Sequence, residues 1–132
     1  MTTKVRLHQD IGIIELKGTL ASGPAEQALV DEVERVLECG HRHILIDVGR
    51  ASGAGAAPIS ALMSALARTR EAGGMLKLVN VTRGFDDLQV IVALYDHFEV
   101  VESEDEALES FGRERVRTQR EVAGHRLTAE LA

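Results

Sequence analysis

Cysteine, proline and aromatic residues are scarce in this 132-residue chain: one cysteine, two prolines, three phenylalanines, one tyrosine and no tryptophan. Cys39 alone cannot close an intramolecular disulfide, which excludes a disulfide scaffold and fits a reducing compartment. Only Phe85, Tyr95, Phe98 and Phe111 could stack on a base, and the formal net charge is −6, so nucleic acid is not an expected partner. No apolar run approaches the roughly 18 residues of a membrane span. The opening stretch, Met1 to Asp10, lacks the apolar segment of a secretory signal. The expectation is a cytoplasmic protein with no membrane insertion.

What is present is ordinary globular material, with 45% hydrophobic and 27% charged residues. A chain of this length forms one domain with a single core. Its charge is uneven. Five arginines against three glutamates leave residues 112–132 at +2 and the remainder at −8. Arg113, Arg115, Arg117, Arg120 and Arg126 alternate with Glu114 and Glu121, and Val116, Val122, Leu127 and Leu131 keep no steady stripe. Residues 1–111 are therefore expected to form the domain, and residues 112–132 a charged helical or flexible extension.

The hydrophobic period switches repeatedly between two and 3.6. Lys4–His8 and Ile11–Leu16 read as strands joined by a tight turn at Gln9-Asp10. After a Gly18–Gly23 loop, Pro24 opens a helix whose buried stripe is Leu29, Val33, Val36 and Leu37, and Gly40 ends it. His43–Val48 is a near-continuous apolar strand, the pattern of a strand covered on both faces. A Gly49–Ala57 loop leads to a helix from Pro58, with Ile59, Leu62, Met63 and Leu66 inward. Gly73-Gly74 stops it before a strand at Met75–Val79. Thr82 is expected to cap a third helix with Phe85, Leu88, Ile91, Val92 and Tyr95 on one side. A strand at Phe98–Val101 follows, then a capping box from Ser103 to Glu106 opening the last helix. This order predicts an α/β fold: a mixed β-sheet joined by βαβ crossovers, with helices packed mainly on one face.

Catalytic and cofactor chemistry finds little support. Gly53-Ala54-Gly55-Ala56-Ala57-Pro58 follows a strand, yet Pro58 replaces the third glycine of a dinucleotide fingerprint and Asn80 stands where its acid belongs. No Gly-Lys-Ser/Thr triplet occurs, which removes a Walker loop. His41 and His43 have no third ligand at metal spacing and read as a surface or strand-edge pair. Ser52 has Arg50 where a nucleophile elbow needs glycine. Cys39 has no neighbouring base in sequence and reads as a half-buried structural thiol. The acidic cluster from Glu99 to Glu109 lacks calcium-loop spacing and suits a helix N-terminus. The expectation is a non-enzyme without metal or cofactor.

Four stretches in this order carry a resemblance. They are Gly12-Ile13-Ile14-Glu15-Leu16-Lys17-Gly18, His43-Ile44-Leu45-Ile46-Asp47-Val48, Gly74-Met75-Leu76-Lys77-Leu78-Val79-Asn80-Val81, and Phe98-Glu99-Val100-Val101-Glu102-Ser103 running into Glu106-Ala107-Leu108-Glu109-Ser110-Phe111. Together they resemble the STAS family of bacterial anti-sigma-factor antagonists and of domains attached to sulphate transporters, across residues 4–111. Such antagonists carry Asp-Ser-Ser/Thr-Gly-Leu-Gly at the start of the second helix, where a kinase phosphorylates the first serine. Counted without gaps, that motif falls on Gly55-Ala56-Ala57-Pro58-Ile59-Ser60, with Ala56 at the acceptor and Gly55 at the acid. A shifted register matching Ser52-Gly53-Ala54-Gly55 makes Ala51 the acceptor and Arg50 the acid. The acid that often follows strand two is also missing, with Ala21 in its loop.

The resemblance implies a non-catalytic regulatory module for signalling and transcription control, with its phosphate switch lost at Ala56. Its partner would be a protein, an anti-sigma factor or a kinase-like regulator, met through Ser52, Gly53, Ala54, Gly55, Ala56, Ala57, Ile59 and Ser60. Self-association as a homodimer stays open. So do two other readings: a scaffold or transporter-associated accessory subunit, and a STAS domain that binds a nucleotide or other small ligand.

Overall fold

A computed structural model describes residues 1–113. Strand β1 (Thr2–His8) turns back at Gln9-Asp10 into β2 (Ile11–Thr19), and the two pair antiparallel from His8–Ile11 outward to Thr2–Lys17. Helix α1 (Pro24–Glu38) leads to β3 (His43–Ser52), and α2 (Ala56–Glu71) leads to β4 (Met75–Val79). A single turn, α3 (Val81–Gly84), precedes α4 (Leu88–His97) and the short strand β5 (Glu99–Val101). A last helix, α5, begins at residue 104 and continues to the end of the described residues. The sheet runs in chain order, β1-β2-β3-β4-β5, with every pairing after the first parallel. The expected mixed sheet is therefore present.

Local sequence explains most element ends. Pro24 stands in the first turn of α1, where no N–H is needed. At the other end Gly40 takes φ 94°, its N–H reaches Leu37 O (2.9 Å), and His41 N–H reaches Val36 O (3.3 Å). That is a Schellman closure, and its left-handed residue strongly favours glycine. In front of α5, Ser103 Oγ accepts from Glu106 N–H at 3.1 Å. The Glu106 carboxylate returns to Glu102 N–H at 3.0 Å, one residue earlier than a standard capping box.

Alternation along the strands sends side chains to two cores. Ile14, Ile44, Ile46, Val48, Leu76 and Leu78 pack under Leu29, Val33, Ala61, Leu62, Phe85, Val90 and Leu94, so α1, α2 and α4 share one face. On the opposite face, Ile11, Ile13, Leu45, Val79 and Val101 are covered by Ala107 and Phe111 of α5. Burying Phe111 completely contributes about 1.5–3 kcal/mol. Its ring stacks on His43 (centroids 4.8 Å apart, 13° between planes), and Lys77 Nζ lies 4.7 Å from the ring centroid. Lys77 is 1% exposed, bonds Ser110 Oγ, and meets Glu99 at 2.7 Å. Arg6 forks onto both Glu104 oxygens at 2.7 Å, clamping the start of α5 to β1.

Several expectations are corrected. β3 does not stop at Val48; it runs to Ser52, because β2 supplies parallel rungs at Lys17–Arg50, Gly18–Ala51 and Thr19–Ser52. The stripe of α2 is Pro58, Ala61, Leu62, Ala65, Leu66 and Thr69, leaving Ile59 and Met63 only half-buried. No helix starts at Thr82 and continues through Tyr95. The chain breaks at Phe85, Asp87 caps α4, and Val90 and Leu94 point inward while Leu88, Val92 and Tyr95 are exposed. His43 is not a strand-edge residue, since β3 is central and the ring packs on Phe111. Cys39 is exposed rather than half-buried, because it lies at the C-cap of α1. The extension expected over residues 112–132 lies, beyond Arg113, outside the described residues.

Candidate functional site

The segment Ser52–Ser60 carries the end of β3 over the sheet edge into α2. Ser52 closes the strand: its carbonyl accepts from Leu20 N–H at 2.8 Å, and its hydroxyl is 3.3 Å from Thr19 Oγ1. Gly53 follows with φ 139°, where a Cβ would come within 2.8 Å of Pro58 Cγ and 3.3 Å of Leu20 O. Only glycine fits that close approach. Gly55 is the N-cap of α2, and no side chain caps the helix from that position.

The missing cap comes from another element. Asp87 Oδ2 accepts from Gly55 N–H at 3.0 Å, while its other oxygen accepts from Gln89 N–H at 3.0 Å and caps its own helix. One carboxylate thus ties the starts of α2 and α4 together across 32 residues of sequence. The Gly55 N–H, and next the Gln89 N–H, hold this carboxyl below the usual carboxylate range. Asp87 is absent from the sequence expectations, although an aspartate before Leu88-Gln89 is an N-cap signal.

The residues expected at the site are consecutive in the chain and differ in exposure. Ala54, Gly55 and Ala56 are exposed, Gly53, Ala57 and Ile59 are half-buried, and Pro58 anchors the turn in the core. Ala56 is the first residue of α2. Ser52 and Ser60 are both exposed; Ser60 is no less accessible for lying inside the helix. Ala21 is exposed in the neighbouring β2–α1 loop, and Arg50 is exposed on β3. The residues expected to bind a partner carry no charged side chain; Ser52 and Ser60 add hydroxyls to otherwise small apolar residues.

Among the described residues, no group of three or more histidine, cysteine, aspartate or glutamate side chains could hold a metal ion. Nor, among them, is any helix long and apolar enough to cross a membrane. The family model of the STAS domain matches residues 2–107. This chain belongs to the STAS domain family.

Solved structures agree on the fold. The anti-sigma factor antagonist SpoIIAA, in its unphosphorylated form, is 14% identical, with 86% of this chain and 98% of that one covered, at a TM-score of 0.61. An anti-sigma factor antagonist from Mycobacterium paratuberculosis is 18% identical over 83% of this chain and 92% of its own, at 0.63. A Thermotoga maritima protein described as an anti-sigma factor antagonist is 15% identical over 82% and 92%, at 0.67. Comparison of the sequence with curated proteins finds no match. As a STAS domain the protein places Ala56 at the head of its second helix.

Proposed function

We propose that this STAS domain is a non-catalytic regulatory module of the anti-sigma-factor-antagonist kind, which binds a protein partner through residues 52–60 and lacks the phosphate switch. The observation that carries this reading is Ala56, a side chain without a hydroxyl, at the first position of α2. SpoIIAA, which shares the fold, exists in phosphorylated and unphosphorylated forms. A phosphoserine would bring about −1.5 to −2 charges to a helix N-terminus. Ala56 accepts no phosphate, so the surface keeps one charge state, set by the fixed carboxylate of Asp87 beside it.

The test uses kinase-type anti-sigma factors from the source cell, titrated with the wild-type protein, Ala56→Asp and Ala56→Asn. The Asp variant adds a charge to a surface that is desolvated on binding, next to Asp87, and a mismatched interface charge costs about 2–5 kcal/mol. We expect binding weakened at least tenfold by Asp, which corresponds to about 1.4 kcal/mol. Asn should change little. Kinase and ATP should leave Ser52 and Ser60 unmodified by mass spectrometry. Equal binding by a folded Ala56→Asp variant would move the interface elsewhere, and stoichiometric phosphate on either serine would restore the switch.

A further inference from the structure

A second feature lies on the α5 side of the sheet, where β4 ends beside the middle of β2 and β3. An open cavity of about 420 Å³ is lined by Lys4, Glu15, Asp47, Arg50, Asn80 and Arg83, among others. The volume falls in the usual range for small-molecule sites.

Its charges are unevenly satisfied. Asp47 Oδ1 accepts from Gly49 N–H (2.9 Å) and from Asn80 Nδ2 (3.0 Å). Glu15 lies opposite Lys4 in the β1–β2 register, yet its carboxylate is engaged by Arg6 Nε at 3.4 Å. Both acids are hydrogen-bonded, Asp47 by neutral donors that leave its charge in place. Lys4, Arg50 and Arg83, by contrast, form no ion pair among the described residues. Three cations without an ion pair among the described residues face two acids here, a lining of net +1 in a chain of net −6. The floor is tightly built: a Cβ on Gly49 would meet Asn80 Cβ at 3.0 Å and Asp47 Oδ1 at 3.1 Å.

We infer that this groove binds a small polar phosphomonoester. Two guanidiniums and an ammonium suit a dianionic phosphate, which accepts several charge-assisted hydrogen bonds. Asn80 and the groove's backbone suit the hydroxyls of its remaining part. Among the described residues no aromatic side chain lines the cavity, which leaves only guanidinium planes to stack on a nucleobase. The ligand class proposed is a small phosphorylated polyol, with a nucleotide as the competing outcome of the test. This site stands apart from the partner surface proposed above and does not depend on it.

Calorimetry and amide chemical-shift titration at low ionic strength would use glycerol phosphate, inorganic phosphate and adenosine monophosphate. We expect saturable binding of glycerol phosphate by about 1 mM, weakened by added salt. Arg50→Gln/Arg83→Gln should weaken it at least tenfold, and Lys4→Gln alone should weaken it measurably. Arg70→Gln, which removes an exposed charge on α2, should leave it unchanged. No saturation in this range, or equal loss with Arg70→Gln, would overturn the site. Equal affinity for inorganic phosphate, or tighter binding of the nucleotide, would overturn the ligand class.

Discussion

Removing either partner of the Lys77–Glu99 ion pair deletes the same 2.7 Å contact, yet the two deletions should differ sharply. The Lys77 side chain is 1% exposed and the Glu99 side chain 59% exposed. Glu99→Ala therefore loses little packing of its own but leaves a buried ammonium with less compensation. At 2.7 Å, effective dielectric constants between those of a protein surface and bulk water give a gross attraction of about 1.5–6 kcal/mol. Ser110, the Phe111 ring and solvent entering from the Glu99 side offset part of the loss. A net destabilisation of about 1–3 kcal/mol follows. Lys77→Met keeps an apolar stem in the buried position and removes the charge, so it should stay within about 1 kcal/mol of wild type. The double variant should be no worse than Lys77→Met, because Glu99 alone is well hydrated. Urea unfolding reads all three: with a slope of about 1–3 kcal/mol/M, Glu99→Ala should shift the midpoint by roughly 1 M. If Glu99→Ala unfolds with wild-type stability, or Lys77→Met costs as much as Glu99→Ala, the reasoning from the buried ammonium is wrong.

Gly84→Ala should destabilise by at least about 1–3 kcal/mol, since its Cβ would sit 1.8 Å from Val48 O; a wild-type melt would show that α3 packs differently. The carboxyls of Asp87 and Glu104 are both held low, by backbone N–H groups and by Arg6 respectively. Their stabilisation is present above the unfolded pKa and is lost as pH falls through the lower folded values. Urea midpoints should accordingly drop on acidification below about pH 4. Asp87→Asn should flatten that drop while keeping an N-cap side chain, and an unchanged acid limb would count against the carboxylate's role. Deleting residues 113–132 should leave the melting temperature nearly unchanged, because Phe111 already completes the second core; a large drop would place the domain boundary later.

Features governed by contacts within four residues were legible in the sequence. Pro24 and Gly40 bound α1, Ser103 and Glu106 open α5, and the alternation of Ile44, Leu45 and Ile46 marks a strand covered on both faces. The STAS resemblance rests on the order of such local signals, and the family model matches residues 2–107. What the sequence left undecided depends on partners distant along the chain. β3 extends to Ser52 because β2 offers it backbone rungs, not because Arg50-Ala51-Ser52 prefers extension. The long helix expected from Thr82 breaks because α3 packs Gly84 beneath the Val48 carbonyl and Asp87 is drawn to Gly55. Lys77, a single charge within the Met75–Val79 strand, is buried because α5 lays Phe111 and Ser110 across it. Period and caps belong to single elements, whereas burial, ion pairing and the reach of a strand are decided by whichever element arrives alongside.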